Sequence, residues 1–270
     1  MEHKLPTLGF LGTGTLTSAL VTGFCQRARE TPYPILLSPR SQEKSARLKA
    51  AYPDRVEVAA SMQEVVDRSD WVMLAVLPGA GEEACRSLCF RPEQKVINFM
   101  SDKTLPQIRA WIGETAALVH MVPLTFNASF QGPIVLSPSN REAAEIFGHI
   151  GQVIQVEERY HAAVLAAITA CAAPFYTLMD TLRQWTGTQG VPEELGAQYV
   201  SAFFQAICHE ASLLDADGLH QMAGTATPGG INFMVKDHLT RQGGFQMWAD
   251  AMEPVMQRLA ASIPRGGEKM

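Results

Sequence analysis

Gly9-Phe10-Leu11-Gly12-Thr13-Gly14-Thr15-Leu16-Thr17 follows an apolar, β-type run and opens a helical pattern. In a βαβ unit, a first Gly permits the tight turn after the strand. A second lets backbone N–H groups and the helix N-terminus approach a pyrophosphate with no Cβ in the way. Gly12 and Gly14 take those two positions, with Thr13, Thr15 and Leu16 completing the cofactor-binding candidates of the turn. The third small position of the fingerprint, normally Gly or Ala, is Thr17. A Gly-rich motif alone is weak evidence, and a plain strand-to-helix turn is the competing reading.

The surrounding grammar favours the βαβ reading. Short β-rich runs at residues 7–11, 35–37, 56–58, 71–76, 95–99, 117–121, 134–136 and 153–156 alternate with helical patterns such as 15–29, 41–51 and 105–112. That alternation predicts a parallel sheet. After residue 156 no strand pattern recurs; long Ala- and Leu-rich segments are broken at 187–192, at Gly218, at 227–230 and at 243–244. The expected architecture is α/β: a Rossmann-type dinucleotide-binding domain over residues 1–156 and an all-helical domain over 157–270. The tail from 265 to 270 reads as disordered.

A cofactor-choosing residue should end the second strand, about 20 residues beyond the turn. The chain there reads Leu37-Ser38-Pro39-Arg40-Ser41, without the Asp or Glu that would hold the ribose hydroxyls of NAD. Ser38, Arg40 and Ser41, with Lys44 behind them, suit a 2′-phosphate, so the expected cofactor is NADP(H) in preference to NAD(H). The competing reading is that Arg40 and Lys44 only solvate a helix start.

Composition bounds the partners. The 270 residues carry a formal net charge of −5, which leaves no general basic field to hold nucleic acid. Five Cys without a CxxC pair argue against a disulfide framework and a zinc ribbon and fit a reducing cytoplasm. The N-terminus lacks the features of a signal peptide. Charged residues make up only 18%, below the roughly 25% usual for soluble domains, so a large surface is expected to be hidden. The uncharged stretch 162–179 reaches the lower limit of a membrane span, but its many Ala residues, Pro174 and two Thr read as a buried helix of a soluble protein.

In the helical half, Gly224-Thr225-Ala226-Thr227-Pro228-Gly229-Gly230-Ile231-Asn232 is a polar, Gly-containing segment opening a helix, a place where free N–H groups attract carboxylates. With this segment the chain resembles the pyrroline-5-carboxylate reductases over nearly its whole length. The resemblance rests on the Gly12-x-Gly14 turn, Ser38-x-Arg40-Ser41, Leu74-Ala75-Val76-Leu77-Pro78, Met121-Val122-Pro123-Leu124-Thr125, the helix around Ala172-Ala173-Pro174-Phe175-Tyr176 and, most specifically, Thr227-Pro228-Gly229-Gly230.

What the resemblance implies is an NAD(P)H-dependent reductase of a small cyclic imine, with no metal required, a helical dimerisation domain, and a homodimer or multiple of dimers. The nicotinamide would lie near Ala75, Val76, Leu77 and Pro78 and the segment beginning with Met100. Thr227, Pro228, Gly229, Gly230 and Asn232 would hold the substrate carboxylate, and Asn232 and Thr125 are the candidate catalytic residues.

Departures from the family pattern concern the pocket. Asn232 stands where the family carries Thr, Leu124 where it carries Asn, Phe126 where it carries Pro, Leu77 where it carries Lys, and Cys171-Ala172-Ala173 where it carries Ser and Gly. Two other readings follow. A β-hydroxyacid dehydrogenase needs a Lys on the first long helix, whereas residues 151–270 hold only Lys236 and Lys269. A nucleotide-binding regulator without reductase activity would account for Asn232 and Leu124. His120, at a strand end, reads as a satisfied strand-end histidine, and His209-Glu210 lacks the second His of a zinc helix because position 213 is Leu213.

Overall fold

The computed structural model describes residues 5–27 and 31–261. Its strands are β1 (Leu8–Leu11), β2 (Ile35–Leu37), β3 (Val56–Val58), β4 (Trp71–Leu74), β5 (Lys95–Asn98), β6 (Ala117–Val122), β7 (Pro133–Ser137) and β8 (Gln152–Gln155). They form one sheet in the order β3-β2-β1-β4-β5-β6-β7-β8. All neighbours run parallel except β6 and β7. After β3 the chain crosses to the other side of β1, which makes the β1/β4 boundary the topological switch point where open α/β sheets bind ligands.

Between the strands lie α1 (Thr15–Arg27), α2 (Gln42–Ala51), α3 (Met62–Arg68), α4 (Pro78–Arg86), α5 (Leu105–Ile112), a short 3-10 helix (Thr125–Ser129) and α6 (Arg141–Phe147). Local chemistry starts several of them. Ser61 accepts from Glu64 N ahead of α3, Thr104 and Gln107 form a capping box ahead of α5, and Asn140 accepts from Ala143 N ahead of α6.

The central strands bury both faces, which is why they read as apolar runs. Alternation sends Leu8, Phe10, Trp71 and Met73 into one core layer with Phe24 and Phe147, whose rings meet edge to face at 5.3 Å. It sends Leu11, Val72, Leu74 and Val96 into a second layer with Val65 and Ile108. Every expected strand is present, with bounds shifted by no more than two residues. The expected helix 15–29 is described to Arg27, and the tail 265–270 lies outside the described residues.

From residue 159 the described chain is helical: α7 (Arg159–Ala167), a 3-10 turn (Ile168–Cys171), α8 (Ala172–Thr188), α9 (Glu193–Ala211), α10 (Ala216–Gly224), α11 (Ile231–Arg241) and α12 (Gly244–Ala260). The change from strands to helices falls where the sequence predicts. The two compact units part later, between Ala166 and Ala167, and the first unit also takes the chain from Met256 onward. The start of α7 is tied to the sheet: Arg159 Nη2 donates to Ser101 O at 2.7 Å, and Ala162 and Ala163 are buried.

The second unit, Ala167–Val255, pairs α8 with α9. Phe175 meets Phe204 at 5.4 Å, and a Cβ on Gly196 would lie 2.2 Å from Thr186 Oγ1, so glycine sets how closely the two helices approach. Here the expectation of a buried apolar helix is corrected. In the single chain α8 has no buried residue, and Tyr176 and Trp185 are exposed. By length and composition the helical stretch Arg159–Thr188 is apolar enough to cross a membrane.

At the N-terminal ends of β4 and β5, Glu142 accepts from Trp71 Nε1 at 2.9 Å and from Lys95 Nζ at 2.5 and 2.7 Å. Trp71 is wholly buried. Glu142→Ala, which strands that indole N–H, is expected to destabilise the protein by about 1–3 kcal/mol in urea denaturation. Glu142→Gln, which keeps an acceptor, is expected to lose less than half as much.

Candidate functional site

The turn after β1 is held in a form that requires glycine. Gly12 adopts φ +105°, and a Cβ there would lie 2.6 Å from Ala75 O. The β1 turn is therefore pressed against the chain leaving β4, and Gly12, Ala75 and Val76 are brought together at the switch point. Gly14 has nothing within 4 Å of its ideal Cβ and is exposed along with Thr15, so backbone donors at the start of α1 face open space. Those features fit a pyrophosphate.

Several expected cofactor residues turn out to build the turn. Ser38 is fully buried, and its Oγ accepts from Gly12 N at 2.8 Å. Thr13, also buried, donates to Ser38 O at 3.3 Å. These two side chains join the ends of β1 and β2 and do not point outward, which corrects the expectation that Ser38 offers a donor to a phosphate. Thr17 donates to Gly12 O at 2.8 Å, so the hydroxyl at the anomalous third position braces the turn that Gly or Ala would only have left room for.

The outward groups are Arg40 and Ser41. Arg40 is exposed, and Ser41 opens α2 without using its hydroxyl as a cap. Lys44 donates to Thr15 Oγ1 at 3.2 Å, at the rim of a groove of about 380 Å³ between α1 and α2 lined by Thr15, Ser18, Thr22, Lys44 and Arg47 among others. Among the described residues no acidic side chain lines it. The cationic surface beside the turn thus comes from Arg40, Lys44 and Arg47.

At the ends of β4, β5 and β6 the backbone turns around buried polar side chains. Leu77 is the N-cap of α4, 79% exposed, and Pro78 is the first helical residue. Met100 is in the core, with its sulfur packed where a Cβ on Gly81 would come within 2.4 Å. Its N–H and C=O are both taken by the Asn98 amide, at 2.9 and 3.1 Å, which corrects its expected role as a free cofactor contact. Thr125 is exposed at the start of the 3-10 helix. The loop behind it is organised by buried Asn127, whose Oδ1 accepts from Leu124 N and whose Nδ2 donates to Gln131 O and Ile150 O.

His120 is only half satisfied. Asn98 Nδ2 lies 3.3 Å from its Nδ1, while its buried Nε2 has no partner. Burial, and then the charge of Arg159, push its pKa well below the usual imidazole value. Asn98, Asn127 and Arg159 are functional-site residues that sequence reasoning missed. The one signal for Asn98 is a lone amide closing the apolar run Val96-Ile97.

In the second unit, the segment ahead of α11 is a turn in which Gly230 N donates to Thr227 O at 2.9 Å and Gly229 adopts φ +79°. Gly230 is the N-cap with no side-chain cap, so the first-turn N–H groups after it have no intrahelical acceptor. Thr227, Pro228, Gly229 and Asn232 are exposed. Backbone donors left open at a helix start are of the kind that can receive a carboxylate. Lys236, the residue the dehydrogenase alternative would need, donates instead to Ala223 O.

Arg40→Ala is expected to raise the KM for NADPH about tenfold or more while leaving the KM for NADH within about twofold, because only the former carries a 2′-phosphate. Equal effects on both cofactors would remove Arg40 from the phosphate site.

Residues 7–101 match the model of the family described as NADP oxidoreductase coenzyme F420-dependent. The chain is 25% identical over 251 residues to a pyrroline-5-carboxylate reductase of Glycine max, covering 89% of each chain. In fold it is similar to a pyrroline-5-carboxylate reductase of Coxiella burnetii, with TM-score 0.84 at 19% identity over 97% of this chain and 100% of the other. It is similar as well to the Plasmodium falciparum pyrroline carboxylate reductase with NADP bound, with TM-score 0.78 at 18% identity over 95% and 98%. The chain is thus similar to pyrroline-5-carboxylate reductases over most of its length, in sequence at 25% identity and in fold.

Proposed function

We propose that this protein is an NADPH-dependent reductase of a cyclic C=N bond, converting 1-pyrroline-5-carboxylate to proline in amino-acid biosynthesis. The observation that carries the reading is the uncapped start of α11, where Gly229 and Gly230 leave a run of backbone donors suited to a carboxylate. It is supported by the acid-free end of β2, where Arg40 is exposed, and by the likeness of the chain to pyrroline-5-carboxylate reductases.

Bound at the turn formed by Gly12, Gly14, Thr15 and Leu16, with its 2′-phosphate toward Arg40, Ser41 and Lys44, NADPH would supply a hydride. The protein's own work is positional. Within the first unit, residues 75–78 would face the nicotinamide, and within the second the backbone of Thr227, Pro228, Gly229 and Gly230 would receive a carboxylate. Asn232 donates its amide hydrogen toward the imine nitrogen; an amide cannot give up a proton, so it orients a substrate that arrives already protonated as the iminium. Thr125 offers a second exposed hydroxyl.

The helical unit has the character of a subunit interface. Tyr199 is 72% exposed and stacks on half-exposed Phe203, and Trp185, Leu195, Met234 and Met247 are exposed too. We read this surface as the contact with a second copy of the chain, in a homodimer or multiple of dimers. The free thiols Cys25, Cys85, Cys89, Cys171 and Cys208 suit a reducing cytoplasm.

Purified protein should oxidise NADPH when given pyrroline-5-carboxylate, and Asn232→Ala should lower kcat/KM about tenfold. An enzyme that binds NADPH yet stays inert with that imine is instead a non-catalytic nucleotide-binding protein or a reductase of another substrate. In light scattering at micromolar concentration the mass should be at least that of a dimer; a well-folded monomer would refute the interface.

A further inference from the structure

We propose that His120 and Arg159 are positioning residues for the hydride-transfer end of the site, acting through the turn at residues 100–103. This rests on the reductase reading, which sets the nicotinamide beside the ends of β4 and β5. Within the turn, Lys103 N donates to Met100 O at 3.3 Å. Asn98 Oδ1 accepts from Met100 N at 2.9 Å, while Asn98 Nδ2 reaches Met100 O at 3.1 Å and Lys103 O at 3.4 Å. From outside the turn, Arg159 Nη2 donates to Ser101 O at 2.7 Å.

The Asn98 amide thus makes three of the turn's hydrogen bonds, and His120 is the side chain that orients it. Because Asn98 Oδ1 faces a backbone N–H, the amide group facing His120 is the donor, and Nδ1 of the imidazole accepts. The ring proton then sits on Nε2, which is buried without a partner. A phenyl ring would fill the same space without stranding a buried donor, so what the imidazole adds at this place is the Nδ1 acceptor. Burial and the nearby Arg159 charge keep the ring neutral. Protonation would turn Nδ1 into a donor aimed at a donor. Arg159 sits against the same turn with its Nε buried and unpartnered, and burial pushes its pKa down to about 10. Asp102 and Lys103, paired with each other at 2.9 Å, are the charged groups of the turn itself.

The cofactor's binding contacts, at residues 12–16 and at Arg40, are elsewhere, so loosening this turn should cost rate and spare affinity. In the full chain, His120→Phe and Arg159→Met are each expected to lower kcat about tenfold while the NADPH Kd stays within about threefold, since small misplacements cost rate steeply. His120→Gln, which restores an acceptor for Asn98, should recover most of the loss. The double variant should be little worse than either single variant, because both act on one turn.

Values of kcat within about twofold of wild type in both single variants would overturn the proposal, as would a Kd that rises in step with the fall in kcat. If His120→Phe does not fold, Arg159→Met decides alone by the same limits. If the wild type is inert with pyrroline-5-carboxylate, the reductase reading has failed separately. The emission of bound NADPH, which reports the nicotinamide surroundings, then decides: a spectrum unchanged in the variants refutes positioning, and a shift toward that of free NADPH at equal binding supports it.

Discussion

The close approach of Gly12 to the Ala75 carbonyl is the contact on which the rest of the structure depends. It lies where the sheet order reverses, so it fixes how tightly the two halves of the sheet close on each other. Three hydrogen bonds hold it in place: Gly12 N to Ser38 Oγ, Thr13 Oγ1 to Ser38 O, and Thr17 Oγ1 to Gly12 O. Because those groups face inward, the rim is left to Gly14, Thr15 and Arg40, which is what allows an anionic ligand to meet backbone donors and a cation at once.

The sheet was legible in the sequence because parallel strands covered on both faces appear as short, nearly continuous apolar runs, and the helix starts because Ser61, Thr104 and Asn140 cap locally. Site residues were legible only where their role is local to the motif. Which way Ser38 faces depends on a partner 26 residues away, and the hold of Arg159 on Ser101 spans 58. No short-range pattern encodes such pairings. Met100 looked like a contact residue because of its place after a strand, yet Gly81 opens a slot that draws its side chain into the core. The Asn98 and Asn127 amides were missed although their partners Met100, Lys103, Leu124 and Gln131 are close in sequence, because an amide bracing an irregular loop follows no periodic pattern.

The low charge content has a location. In the first unit, before Val164, Leu77 and Phe126 are the only large apolar side chains with broad exposure among the described residues, whereas the second unit exposes them on every helix. A chain with 18% charged residues is therefore an ordinary α/β domain followed by a segment whose own fold leaves most of its apolar surface bare. Burial predicted from hydropathy was correct about chemistry and wrong about geometry in the single chain, because hydropathy counts apolar side chains without saying what covers them.

Gly23 on α1 lies so near the loop after β6 that a Cβ there would come within 2.5 Å of Asn127 O. The helix that begins at the cofactor-type turn and the segment that carries Thr125 therefore touch backbone to backbone, with no side chain between them to act as a cushion. A lone methyl group added at Gly23 would act as a wedge, forcing the helix and that segment apart.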